Sequence, residues 1–182
     1  FADVAGHQVL ASTWRNAVSS GRVAHAQLLD GPEGSGTLAL ARAYAQYLTC
    51  EQPSADDSCG ACKSCLAHRQ LQHPDVHWCF PSFKADGADK ATTEPHQKTW
   101  REALLASPSL GLEDWLEVLG ANRKQLFISV DEALEVNRTL THLDLSNNAL
   151  CGKEKWMIYS SVPYTKDMSG VEALCKVCLL YT

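Results

Sequence analysis

Positive charge is in short supply in this chain. Sixteen Lys and Arg face 21 Asp and Glu, a formal net charge of -5, so no global electrostatic case for nucleic acid or an anionic membrane exists. Contact with DNA has to be local, or made through a larger assembly. No apolar run approaches the roughly 18 residues of a membrane span, and the opening Phe1-Ala-Asp-Val-Ala-Gly does not resemble a signal peptide. The expectation is a cytoplasmic protein with no membrane partner. A starting Met is also missing, which suggests a trimmed or partial sequence. Neither a low-complexity linker nor a Ser/His/Asp or Cys/His nucleophilic set stands out. What remains is ordinary: 182 residues, 45% apolar and 20% charged, enough for one core and an inserted module.

The order of patterns points to an α/β domain. Gln8 to Ser20 carries Val9, Leu10, Trp14, Ala17 and Val18 at helical spacing, with Gly21 as a stop. "AHAQLLD" reads as a short buried strand, and the Ala-rich stretch Thr37 to Leu48 as a helix. Strand, glycine turn and helix in that order open an α/β unit. A short helix through "LAHRQLQ", a second strand in "HPDVHWCF" and a loop from Pro81 to Gln97 follow. Two helices broken at Pro108 come next, then an extended piece at Leu126 to Ser129 and a helix capped near Asp131. "KWMIYSSV" is the last strand candidate, and a helix is expected from about Ser169 onward.

The turn itself lacks something. It reads Gly31-Pro-Glu-Gly34-Ser-Gly36-Thr37-Leu38, where a working phosphate loop needs Lys and then Ser or Thr after its last glycine. The Lys neutralises the β- and γ-phosphates and the hydroxyl binds Mg²⁺. Thr37 brings no charge and Leu38 no ligand. Gly31, Gly34 and Gly36 are the candidate cofactor-binding residues of a degenerate loop. Backbone N–H groups at the helix start still suit a phosphate, so ATP binding stays open while hydrolysis is not expected.

Cysteine is plentiful by contrast, and four of the eight fall in one short segment. Cys50, Cys59, Cys62 and Cys65 follow C-x8-C-x2-C-x2-C, in which two CxxC steps present thiolates from one side and Gly60 eases the turn. Four thiolates close the coordination shell, which implies a structural Zn²⁺. Free or disulfide-linked cysteines are the alternative. Cys175 and Cys178 form a further CxxC inside the expected last helix and read as core or helix-surface residues.

Taken together, "GRVAHAQLLDGPEGSGTLALARAYAQYLTC", the cysteine spacing and "HPDVH" resemble the N-terminal AAA+ domain of bacterial clamp-loader subunits, most of all the delta-prime subunits of DNA polymerase III. The match is specific over residues 1–81, moderate around "TWREALLASP" and "QLFISVDEALEV", and weak beyond Thr139. It implies a P-loop NTPase-like (AAA+) parallel sheet with helices on both faces and an inserted four-cysteine zinc module. In these terms residues 1–182 are a partial AAA+-like domain, residues 50–65 the zinc module and residues 139–182 a divergent C-terminal part. Leu179 and Leu180 stand where the family has Glu-Glu, and the family's Ser-Arg-Cys segment, lid and collar domains are not in this chain. The resemblance also implies a non-hydrolysing subunit of DNA replication. Its partners would be ATPase neighbours in the clamp loader and, through the assembly, the sliding clamp and primed DNA.

Other signals compete. "LTHLDLSNNAL" (Leu140 to Leu150) fits the leucine-rich-repeat pattern L-x-x-L-x-L-x-x-N-x-L, but a solenoid needs about three repeats. It supports a different class of function, a leucine-rich/zinc interaction module without a nucleotide role. A nucleotide-binding AAA+ ATPase subunit is the other alternative. His73 and His77 suit a strand edge better than an already full metal shell. Asp131-Glu132 after "LFISV" imitates a magnesium-binding acidic pair, yet reads more simply as a helix cap and first-turn acid.

Overall fold

The computed structural model describes residues 1–24, 26–32, 34–121, 126–132, 154–160 and 175–180, with Ala26 and the last two stretches given by backbone alone. Its elements run α1 (Gln8–Ser19), β1 (Ala26–Gly31), α2 (Thr37–Thr49), α3 (Lys63–Arg69), β2 (Val76–Cys79), a 3₁₀ turn (Glu94–His96), α4 (Gln97–Ala106), α5 (Leu112–Val118), β3 (Glu154–Ser160) and β4 (Cys175–Leu180).

α2 is the spine. Its Ala-rich sequence favours helix, and Leu38, Leu40, Ala41, Tyr44, Ala45 and Tyr47 are all buried. It packs against β1, β3 and β4. Tyr44 stacks on Trp14 of α1 at 4.2 Å between ring centroids. Its hydroxyl accepts the Gln27 side-chain N–H at 2.7 Å, so one residue ties α1, α2 and β1 together. The buried face of α1 is Ala11 and Trp14, with Val18 packed against the core. Val9 is 82% exposed, so the apolar stripe is rotated away from the Val9–Leu10 side that the sequence pattern favoured. A second aromatic group closes the end of β2: Phe80 stacks on Trp100 at 4.4 Å, and Trp115 meets both edge-on. The Trp115 ring N–H donates to the Pro81 carbonyl at 2.8 Å. Pro108 falls between α4 and α5, as expected.

The sheet departs from the all-parallel expectation. Its order is β1-β3-β4-β2. β2 pairs parallel with β4, but β3 is antiparallel to both β1 and β4. Thus β1, β2 and β4 run one way and β3 is inverted between them. The route of the chain gives the reason. Phe127 bridges Ser82, just past the C-terminal end of β2, and Glu154 enters the sheet beside Gly31, at the C-terminal end of β1. A strand entered from that end has to run back against its neighbour, and antiparallel pairing needs no crossover helix. The segment "KWMIYS" does lie next to β1, with Leu29 opposite Trp156.

Two further expectations change. Residues 175–180 form a strand rather than the end of a helix, so Cys175 and Cys178 are sheet residues, in register with Val76 and Cys79. Apolar "CKVCLL" suits a covered strand as well as a helix, because a short apolar run does not separate the two. The helix after Ser129 is capped by Ser129 and not by Asp131: the Ser129 hydroxyl accepts the Glu132 N–H at 3.1 Å. The leucine-rich stretch 140–150 lies outside the described residues, as do residues 169–174.

Candidate metal centre and glycine turn

The four cysteines come together where α2 ends and α3 begins. Cys50 follows α2 in extended conformation, and the chain loops through residues 51–58 before the paired CxxC turns. Gly60 has φ +69°, a left-handed turn that side chains resist, and a Cβ there would lie 3.2 Å from Arg69 Nη2. Cys62 is the N-cap of α3, and its sulfur accepts the Cys65 N–H at 3.4 Å. α3 therefore starts at Lys63, inside the cysteine segment and three residues before the "LAHRQLQ" expected from periodicity. Two more backbone N–H groups point at sulfur: Cys59 to Cys50 and Cys62 to Cys59, each at 3.3 Å.

Distances decide what this cluster can be. All four sulfurs lie within 4.8 Å of one another; Cys65 is 3.7 Å from Cys50 and 4.0 Å from Cys59. A tetrahedral centre with metal–sulfur bonds of about 2.3 Å has edges of about 3.8 Å, whereas a disulfide brings its sulfurs to about 2.0 Å. The cysteines are free, and their arrangement fits one four-thiolate metal ion. The protonation states agree with that chemistry. N–H groups of Ala61 and Cys62 aimed at Cys59 hold its thiol down to about 6, while burial pushes Cys65 up to about 12 and raises Cys50. A bound cation supplies the charge that two buried thiolates otherwise lack, and binding releases their protons.

The surroundings fasten the module to the body. The Asp57 carboxylate accepts the first two backbone nitrogens of the chain at 2.7 and 2.6 Å, and the Ser58 N–H at 2.7 Å. Thr49 at the end of α2 bonds Nε2 of His68 on α3 at 2.7 Å and accepts the Ser64 hydroxyl at 3.2 Å. Burial, helped by His73 and Arg42, holds His68 down to about 3, so it is neutral. His73 accepts the Asp75 N–H at 3.2 Å and stacks on His68. Neither His73 nor His77 belongs to the metal cluster.

The glycine turn lies at the other end of α2. Gly31 ends β1, Gly34 has φ +75°, and Gly36 (φ +80°) is the N-cap of α2. Only at Gly36 does the helix start depend on a left-handed residue. The two residues after it face inward: Thr37 is 6% exposed and Leu38 5%, and Leu38 belongs to the main core. His7 covers the turn, its Nε2 2.7 Å from the Ser35 carbonyl. Asp131 and Glu132 do not approach this turn. Asp131 pairs with Lys90 at 3.2 Å and Glu132 bonds Thr93. Ser129, Glu132 and Arg42 were passed over in the sequence. A Ser-x-x-Glu spacing was the available signal for the first two; nothing local marked Arg42.

Comparison with known proteins places the chain. The family model described as DNA polymerase III, delta subunit, matches residues 6–166. The chain belongs to that family. Among curated relatives, the DNA polymerase III subunit delta' of Pseudomonas aeruginosa is 42% identical over 62 residues, 34% of this chain and 19% of the relative. That of Escherichia coli K12 is 39% identical over 62 residues, with the same shares. The DNA polymerase III subunit gamma/tau of Mycobacterium tuberculosis H37Rv is 37% identical over 67 residues, 37% of this chain and 12% of the relative. The matched segments thus span only 12 to 19% of these relatives. No solved structure matches. Among the described residues no helix is long and apolar enough to cross a membrane.

Proposed function

We propose that this chain is part of a delta-prime-like clamp-loader subunit that helps place the sliding clamp on primed DNA without hydrolysing nucleotide itself. The observation that carries this reading is Leu38. It occupies the position from which a working loop presents a hydroxyl to magnesium, and it is packed into the core instead. Thr37 before it, where the phosphate-binding Lys would stand, is buried too and uncharged. A phosphate loop without that cation and that metal ligand loses the two groups that hold the transferred phosphoryl group. The glycines remain because the turn from β1 into α2 still needs them.

In this reading the four cysteines hold one structural Zn²⁺, supported by sulfur separations near the tetrahedral edge. The subunit works in the cytoplasm as a fixed wall of the loader, beside ATPase neighbours. A second reading, a nucleotide-binding ATPase subunit, draws on the gamma/tau relatives, whose identity is close to that of the delta' relatives. Nucleotide titration and turnover separate the two. Absence of ATP turnover, together with rescue of clamp loading when the full-length protein replaces delta-prime in a reconstituted loader, supports the first. Turnover abolished by substitution at Gly36 establishes the second.

A further inference from the structure

A cavity of about 500 Å³ opens between the start of the chain, α2, α3 and the 57–60 turn. It is within the size range of small-ligand sites, and its walls include the buried Leu71 and Trp78. Into it reaches Arg42, half-buried on the middle of α2. A guanidinium keeps its charge in any protein environment, and a desolvated charge without a partner is costly. Yet Arg42 has neither an ion pair nor a hydrogen bond among the described residues.

The groups nearby do not supply the missing charge. Asp57 lines the cavity, but its carboxylate is already engaged by the backbone nitrogens of residues 1, 2 and 58. Gln46, one turn along α2, spends its amide N–H on Ser58 at 3.0 Å. His68 is neutral. Arg69 adds a second guanidinium at the rim, where its Nη2 sits over Gly60 and the cysteine turn. An occupied four-thiolate centre carries a net negative charge, which Arg69 is placed to offset. Arg42 then stays uncompensated.

We propose that this cavity is a binding site for a small oxyanion, a phosphate or carboxylate group, held by the guanidinium of Arg42. A planar fork facing an apolar-walled recess suits two parallel bonds to such a group. The site is separate from the glycine turn, which lies at the opposite end of α2.

The test is a thermal-shift titration of the purified chain with inorganic phosphate and, separately, with acetate, each against chloride at matched ionic strength. The expected result is a saturable rise in Tm with one or both oxyanions. Phosphate alone points to a phosphorylated source and acetate alone to a carboxylate. The rise should disappear in Arg42→Gln and weaken in Arg42→Lys, while metal content stays the same in all three proteins. A rise equal to that in chloride, or one that Arg42→Gln retains, overturns the proposal. Should Arg42→Gln fail to fold, the wild-type Arg42 side-chain ¹⁵N resonance is followed during the same titrations. Its failure to shift with either oxyanion is equally decisive against it.

Discussion

Glu132 holds Thr93 with both carboxylate oxygens: Oε1 accepts the hydroxyl at 2.7 Å and Oε2 the backbone N–H at 2.9 Å. Both residues are buried. Thr93 precedes the 3₁₀ turn that leads into α4, so this contact anchors the 126–132 segment to the other half of the fold. The acid that imitates a magnesium ligand in the sequence is a clasp in the structure.

Replacing Glu132 with Ala should therefore destabilise the protein by about 3 kcal/mol, since it leaves a buried N–H and hydroxyl without their charged acceptor. Glu132→Gln should recover part of this, because the amide oxygen replaces one acceptor. Urea unfolding monitored by Trp fluorescence measures both; equal stability of all three proteins would show the clasp to be inert.

Metal analysis of protein purified under reducing conditions should find one Zn²⁺ per chain. Cys62→Ser should lower the content and loosen α3 in particular, because the Cys62 sulfur also caps that helix. Hydrogen exchange should show lost protection at Leu66 and its neighbours, with the Phe80–Trp100–Trp115 group unaffected.

ATP turnover should be indistinguishable from background. In the double variant Thr37→Lys with Leu38→Thr, nucleotide affinity should rise but stability should fall by about 3 kcal/mol, because Leu38 is removed from the core. Isothermal titration and urea unfolding on the same sample report the two effects.

Acid should weaken the fold through His68. Its folded pKa is depressed to about 3, whereas the unfolded chain titrates near 6.5. Between those values the unfolded state takes up a proton that the folded state refuses. Stability is thus lost as pH falls through that window, by at most about 1.4 kcal/mol per pH unit. His68→Gln should lower stability at neutral pH and flatten this slope. Denaturation curves in the presence of a chelator, which removes the separate effect of metal release, make the comparison; parallel slopes would exonerate His68.

Much of the candidate site could be read from residue order alone. Cysteine spacing and glycine placement are local properties, and the structure brings Cys50, Cys59, Cys62 and Cys65 together at the junction they imply. Boundaries of α2, α4 and α5 followed from Ala content and from Pro108 for the same reason. Strand direction was not legible, because the inversion of β3 depends on the end from which the chain re-enters the sheet, set by the distant Ser82–Phe127 pairing. Strand or helix in "CKVCLL" was also beyond local pattern. The exposed position of Val9 shows a further limit: periodicity defines a stripe on α1, but only Tyr44 determines which way Trp14 faces.

α2 begins at the glycine turn and ends at the cysteine cluster. Thirteen residues of helix make a rod of about 20 Å, stiffened along its length by burial. A neighbouring molecule that touched both ends at once would meet two fixed points whose spacing no side-chain movement alters. The helix is then a gauge, and inserting or deleting one residue within it would swing the cysteine cluster about 100° around its axis while leaving each end locally intact.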